Sequence, residues 1–180
     1  AHFITSNSGS KYVMRYNTFS FAKSGCGWLD VIDSHGYCEV AGRGSFTWEV
    51  YNNTFTNTTD DLGRLIHLRG GQGVVYNNTM TGTMSYPIVI TDYMICSPPC
   101  VDTCAGYPCA DQITASYFWN NTLNGSGSNA INNCGDVIAL NRDYFNNNMS
   151  GYTPYTYPHP LRGELTATIS GATISGGLIR

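Results

Sequence analysis

The stretch DVIDSHGYCEVAGRG, residues 30–44, gathers many of the side chains able to do ionic or acid–base chemistry in this 180-residue chain. Asp30, Asp33, His35, Glu39 and Arg43 lie within it, and Glu49 follows closely. Farther on, Arg69 stands nine residues before Asn78, much as Arg43 stands ten before Asn53. Both asparagines belong to a repeated phrase, so the two arginines are expected to share one face. Paired guanidinium N–H groups there would hold a carboxylate ligand. With His35 as base, His35, Arg43 and Arg69 are the candidate catalytic set for an elimination beside a carboxylate, which needs charge neutralisation and proton removal. Hydrolysis would instead need two carboxylates, drawn from Asp30, Asp33, Glu39 or the pair Asp60 and Asp61. Asp33, Glu39 and Glu49 are the candidate substrate-binding residues. A purely structural role competes for His35 and Arg69, in which Gly permits a bend and Arg or His caps turn carbonyls. His67 is expected to be a packed core residue.

These side chains must be positioned by something, and the repeat says what. The phrases YNNTFTNT (51–58) and YNNTMTGT (76–83) are near-copies. FWNNTLNGS, YFNNNMSG and the shortened RYNTFS extend the series. The column Asn17, Asn53, Asn78, Asn121, Asn147 has spacings of 36, 25, 43 and 26 residues. A unit near 25 residues with loops inserted into two intervals accounts for all four, and such a period signals a repeat architecture. Segments such as FTWEVYNNTF mix β-branched, aromatic and polar residues and end in turn residues, as strands do. No stretch has a convincing helical face. Equivalent strands of successive units are therefore expected to pair in parallel, about 4.8 Å apart, stacking identical side chains. The asparagines form a hydrogen-bonded structural ladder at one corner, and Phe19, Phe55, Met80, Leu123 and Met149 form an apolar ladder inside.

Charged residues are only 12% and the net charge is -3, with nine Lys and Arg scattered singly, so no basic stripe exists for nucleic acid. No apolar run approaches the roughly 18 residues a membrane span needs. Residues 1–10 lack the layout of a signal peptide, so the leader of an exported protein would fall outside this numbering. Seven cysteines (Cys26, Cys38, Cys96, Cys100, Cys104, Cys109, Cys134) fit an oxidising, extracellular or surface compartment, with disulfides stapling an insertion at about 94–112. Their spacing is not a zinc or iron–sulfur pattern, and no metal ligand set is assigned. Calcium is allowed but not demanded, since no acidic cluster has a recognisable loop pattern. Asn52, Asn57, Asn77, Asn120, Asn124 and Asn148 each begin an N-x-Ser/Thr sequon and are glycosylation candidates.

With YVMRYNTF, DVIDSHGYCEVAGRGSFTWEVYNNTF, RGGQGVVYNNTMTG, DVIALNRDYF and YTPYTYPHPL in view, residues 3–161 resemble right-handed parallel β-helix proteins of the pectate-lyase-like superfamily. The resemblance implies an all-β solenoid of about five to six coils over residues 1–150, with a Cys-rich inserted loop. Residues 151–180 would be a Pro/Tyr-rich segment and a β-prone extended tail. That superfamily includes polysaccharide lyases, glycoside hydrolases, tailspikes, adhesins and inert stalks, and members usually carry an N-terminal helical cap that this chain does not show. The first expectation is an extracellular protein that binds or depolymerises an acidic polysaccharide, the arginines taking a uronate carboxylate. The alternative is a non-catalytic subunit of a fibre, filament or virion that self-associates through open coil ends and its tail.

Overall fold

A computed structural model describes residues 2–21, 29–36, 44–58, 63–91, 112–134, 137–154 and 156. The chain divides into two units, Ala1–Met149 and Ser150–Arg180. Of the second, only residues 150–154 and 156 are described. Glu39, Arg43, Asp60, Asp61, six of the seven cysteines, nearly all of the 94–112 insertion and the tail beyond 156 lie outside the described residues.

The first unit is all-β. Its strands are β1 (His2–Ser6), β2 (Lys11–Arg15), β3 (Thr18–Phe21), β4 (Leu29–Ser34), β5 (Thr47–Tyr51), β6 (Thr54–Asn57), β7 (Gly63–Leu68), β8 (Gln72–Tyr76), β9 (Thr79–Thr81), β10 (Tyr86–Ile90), β11 (Ser116–Trp119), β12 (Thr122–Leu123), β13 (Ser126–Gly127), β14 (Ile131–Asn132) and β15 (Tyr144–Phe145). They form three sheets: A, in the order β1-β4-β7-β10-β14; B, β2-β5-β8-β11-β15; and C, β3-β6-β9-β12-β13. Through β12 the chain visits A, B and C in turn, adding one strand to each sheet per passage. Every neighbouring pair is parallel except the β12–β13 hairpin. Among the described residues no helix is long and apolar enough to cross a membrane.

The doubled asparagine of the repeat builds the corner between sheets B and C. Its first member adopts a left-handed backbone, with φ of 53° at Asn52, 53° at Asn77 and 52° at Asn120. Asparagine tolerates that region better than most residues, so one residue turns the chain. In the shortened first copy Tyr16 takes the same conformation, with φ of 57°. The second asparagine turns inward and bonds to its equivalent in the next copy of the repeat. Asn17 Nδ2 donates to Asn53 Oδ1 at 3.0 Å, Asn53 to Asn78 at 3.0 Å, and Asn78 to Asn121 at 2.9 Å. The same oxygens accept the backbone N–H of Asn17, Asn53 and Asn78 at 3.1 Å. The spare amide protons reach strand carbonyls: Asn53 to Met14, Asn78 to Val50 and Asn121 to Val75. Asn53, Asn78 and Asn121 are buried, so each would otherwise leave costly unsatisfied groups.

Asn147 and Met149 do not continue these columns. The pairing Tyr117↔Phe145 sets residue 147 level with Trp119, two short of the asparagine column. Asn147 is exposed, and Met149 is 39% exposed rather than inside. The sequence phrase survives in this copy while the strand register has slipped. Of the sequon asparagines, Asn57 is buried and donates to the Thr83 carbonyl at 2.8 Å, which corrects its assignment as a glycan site. Asn52 is half-buried, and Asn77, Asn120, Asn124 and Asn148 are exposed.

All three sheets pack on one core, with Val31, Ile32, Leu65, Ile66 and Ile88 from A, Trp48, Val50, Val75 and Phe118 from B, and Phe55 and Met80 from C. Burial of each large side chain contributes roughly 1.5–3 kcal/mol. Ring columns run along the axis: Phe19 stacks on Phe55 at 4.9 Å, Tyr51 on Tyr76 at 4.6 Å, and Tyr76 on Trp119 at 4.4 Å. Gly73 sits beneath Trp48, where a Cβ would collide with the Trp48 carbonyl.

Replacing Asn78 by Ala should lower unfolding stability by about 2–4 kcal/mol, because it removes the oxygen that accepts from the Asn53 backbone and side chain and the buried N–H bond to the Val50 carbonyl. Asn147→Ala should stay within about 0.5 kcal/mol of wild type. Urea unfolding of both variants measures the contrast, and equal losses would contradict the ladder's role.

Candidate functional site

The ionic residues converge on sheet A, across β1, β4 and β7. The register His2↔Asp30↔Arg64 makes one row and Thr5↔Asp33↔His67 another. Asp30 and Asp33 are an odd number of residues apart, which on a regular strand would point them to opposite faces. Alternation breaks between them: Val31 and Ile32 are both fully buried, as are Leu65 and Ile66 on the neighbouring strand. The two carboxylates consequently meet around a single imidazole.

Each carboxylate is gripped by an arginine fork. Arg64 donates Nε to Asp30 Oδ1 at 2.5 Å and Nη2 to Oδ2 at 3.0 Å. Arg69 donates Nε to Asp33 Oδ1 at 2.9 Å and Nη2 to Oδ2 at 2.6 Å. Asp33 Oδ2 also lies 2.9 Å from His35 Nε2 and 3.2 Å from His2 Nδ1. His67 is buried between the carboxylates, its Nδ1 3.6 Å from Asp30 Oδ1 and 3.7 Å from Asp33 Oδ1, with Nε2 3.2 Å from Thr91 Oγ1. Solvent reaches the cluster at His2 and Arg64, whose side chains are 37% and 31% exposed.

Burial pushes the Asp30 pKa up, but the His67 imidazole and the Arg64 guanidinium together outweigh it and hold the carboxyl below its usual range. For His67 burial dominates and lowers the pKa, against the pull of Asp30 and Asp33. Burial thus disfavours the charged imidazole. Two trios, His2 with Asp33 and His35, and Asp30 with Asp33 and His67, have ligand atoms close enough for a shared cation. The donor set does not suit calcium, which takes six to eight oxygens. The guanidinium groups on the same carboxylates already balance their charge.

Among the residues marked in the sequence, Arg69, His35 and Asp33 come together, with Asp33 as the hub. Glu49 does not join them: it lies on β5 of sheet B, in register with Val13 and Val74. His67 is buried as expected, but in a polar cluster. Arg64 and His2 were not singled out by sequence reasoning. The signal was present in RLIHLR (64–69), which sets Arg, His and Arg where DVIDSH (30–35) sets Asp, Asp and His.

Compared with known proteins, the chain matches no family model, no curated protein and no solved structure.

Two outcomes follow from the buried charges. Asp33→Ala should cost about 3–5 kcal/mol, since it removes the buried carboxylate that accepts both N–H bonds of the Arg69 fork, and urea unfolding reads the loss. Below pH of about 6.5 the unfolded chain takes up the His67 proton before the folded protein does, so stability falls as the solution is acidified. Asp30 acts in the same direction below pH of about 4. Melting curves of His67→Gln between these limits should show a shallower pH slope than wild type; an unchanged slope would show that His67 does not titrate with folding.

Proposed function

We propose that the chain is a right-handed parallel β-helix of the pectate-lyase-like kind, exported from the cell, that binds an acidic polysaccharide on sheet A. The reading is carried by one observation: two arginines and three histidines gather on adjacent strands of one sheet or one residue past their ends, with Arg64 and His2 at its exposed rim. A uronate carboxylate would meet those two side chains first, while Asp30 and Asp33 hold the cationic groups in place. Binding is favoured over depolymerisation because neither Asp30 nor Asp33 has the solvent access a sugar-cleaving pair requires. Should the protein cleave, His35 held by Asp33 is the base. An oxidising compartment is supported by Cys134, which is disulfide-bonded.

A second reading, a fibre or filament subunit, is favoured by Phe3 and Tyr16, which are 60% and 69% exposed beside the bordering strands β1, β2 and β3. Sedimentation across a concentration series would show self-association if this reading holds.

Retention of the protein by immobilised polygalacturonate or alginate, weakened by salt, is the expected result. Arg64→Ala should reduce affinity about tenfold, a change of roughly 1.4 kcal/mol. Absence of retention at low salt overturns the proposal. Growth of ultraviolet absorbance from unsaturated product, abolished in His35→Ala, would replace binding by lyase chemistry.

A further inference from the structure

Sheet C presents a surface of a different kind from sheet A. Thr18, Thr54, Thr79 and Thr122 are in register on β3, β6, β9 and β12. Two residues on, Ser20, Thr56 and Thr81 form a second column. The residues between the columns, Phe55 and Met80 among them, pack into the core, so the hydroxyl side chains lie on the opposite, outer face. All seven are exposed or half-exposed.

Three properties separate this face from an ordinary strand surface. It carries no charge, for β3, β6, β9, β12 and β13 contain no Asp, Glu, Lys, Arg or His. Its hydroxyls make no side-chain hydrogen bond within the described residues, whereas hydroxyls elsewhere are used internally, as in Ser6 with Ser45, Tyr12 with Ser34 and Ser116 with the Thr114 carbonyl. It is also rigid. Threonine is stiff at χ1, and the asparagine column fixes the backbone one residue before the first threonine column.

The result is a two-dimensional lattice of hydroxyl and methyl groups, spaced by about 4.8 Å between strands and about 6.6 Å along them. Those spacings lie close to the oxygen repeats along the a and c axes on the prism face of hexagonal ice. We propose that sheet C binds ice. Hydroxyls take positions in a lattice of ordered water, methyls fill the gaps between water molecules, and the lack of charge suits an uncharged crystal over a polyanion. This inference is independent of the polysaccharide reading, which concerns sheet A.

The test uses the full chain. Wild type should facet ice crystals, slow ice recrystallisation and become enriched in a slowly growing ice hemisphere. Thr79→Tyr and Thr56→Lys should lose most of that activity while keeping the wild-type circular dichroism and melting temperature. Lys11→Gln, on sheet B, should retain it. Round crystals with no enrichment of wild type overturn the proposal, as does full activity in folded Thr79→Tyr. Soluble neutral polysaccharide that binds this face while ice does not would equally overturn it.

Discussion

The asparagine column is the constraint on which the rest depends. At each corner one left-handed residue reverses the chain, exposing backbone groups that a tight bend cannot pair with one another. The next asparagine satisfies them with both ends of its amide: the oxygen accepts from the repeat on one side, and the nitrogen donates to the repeat on the other and to strand carbonyls. A side chain with only a donor or only an acceptor could not do both. Because the bond joins equivalent residues, it also fixes register. That register places Trp48 over Gly73, Tyr51 over Tyr76 and Asp30 beside Arg64.

Register explains why the ionic cluster tolerates burial. Removing two carboxylates from water is costly unless each is paired and hydrogen-bonded. Here the neighbouring strand delivers an arginine fork to each, in planar two-bond geometry. The cluster then contributes little net stability but strong directionality, because a shift of β7 by one residue would move its basic side chains to the other face. It therefore reinforces the pairing that the asparagines set.

Much of this was legible in the sequence, because the repeat is written in residues with one physical job each. The phrase YNNTF holds an aromatic for the ring column, an asparagine for the left-handed turn, an asparagine for the ladder, an outward threonine and an inward apolar residue. The division of labour between the two asparagines was not legible, since either can stack and either can turn. Copies fail where the register slips, as at Asn147, because a phrase records composition and not pairing. The cluster was only half visible: Arg69 and His35 stood out with Arg43 as a candidate catalytic set, but their engagement by Asp33 depends on the broken alternation at Val31 and Ile32, which no periodic pattern announces. Arg64 and His2 were hidden for the same reason, as their meaning lies in the residue one strand away.

The two kinds of column obey one rule. Neutral side chains stack like on like: asparagine on asparagine, ring on ring, threonine on threonine. Charged ones cannot, for two like charges one strand spacing apart repel by roughly 3 kcal/mol at an effective dielectric of about 20. Sheet A accordingly changes residue type at each step, His2 to Asp30 to Arg64 along one row and Thr5 to Asp33 to His67 along the next. Parallel sheets built by stacking identical phrases can therefore repeat a neutral face indefinitely, but must write a charged face anew in every strand. That is why sheet C is uniform and sheet A individual.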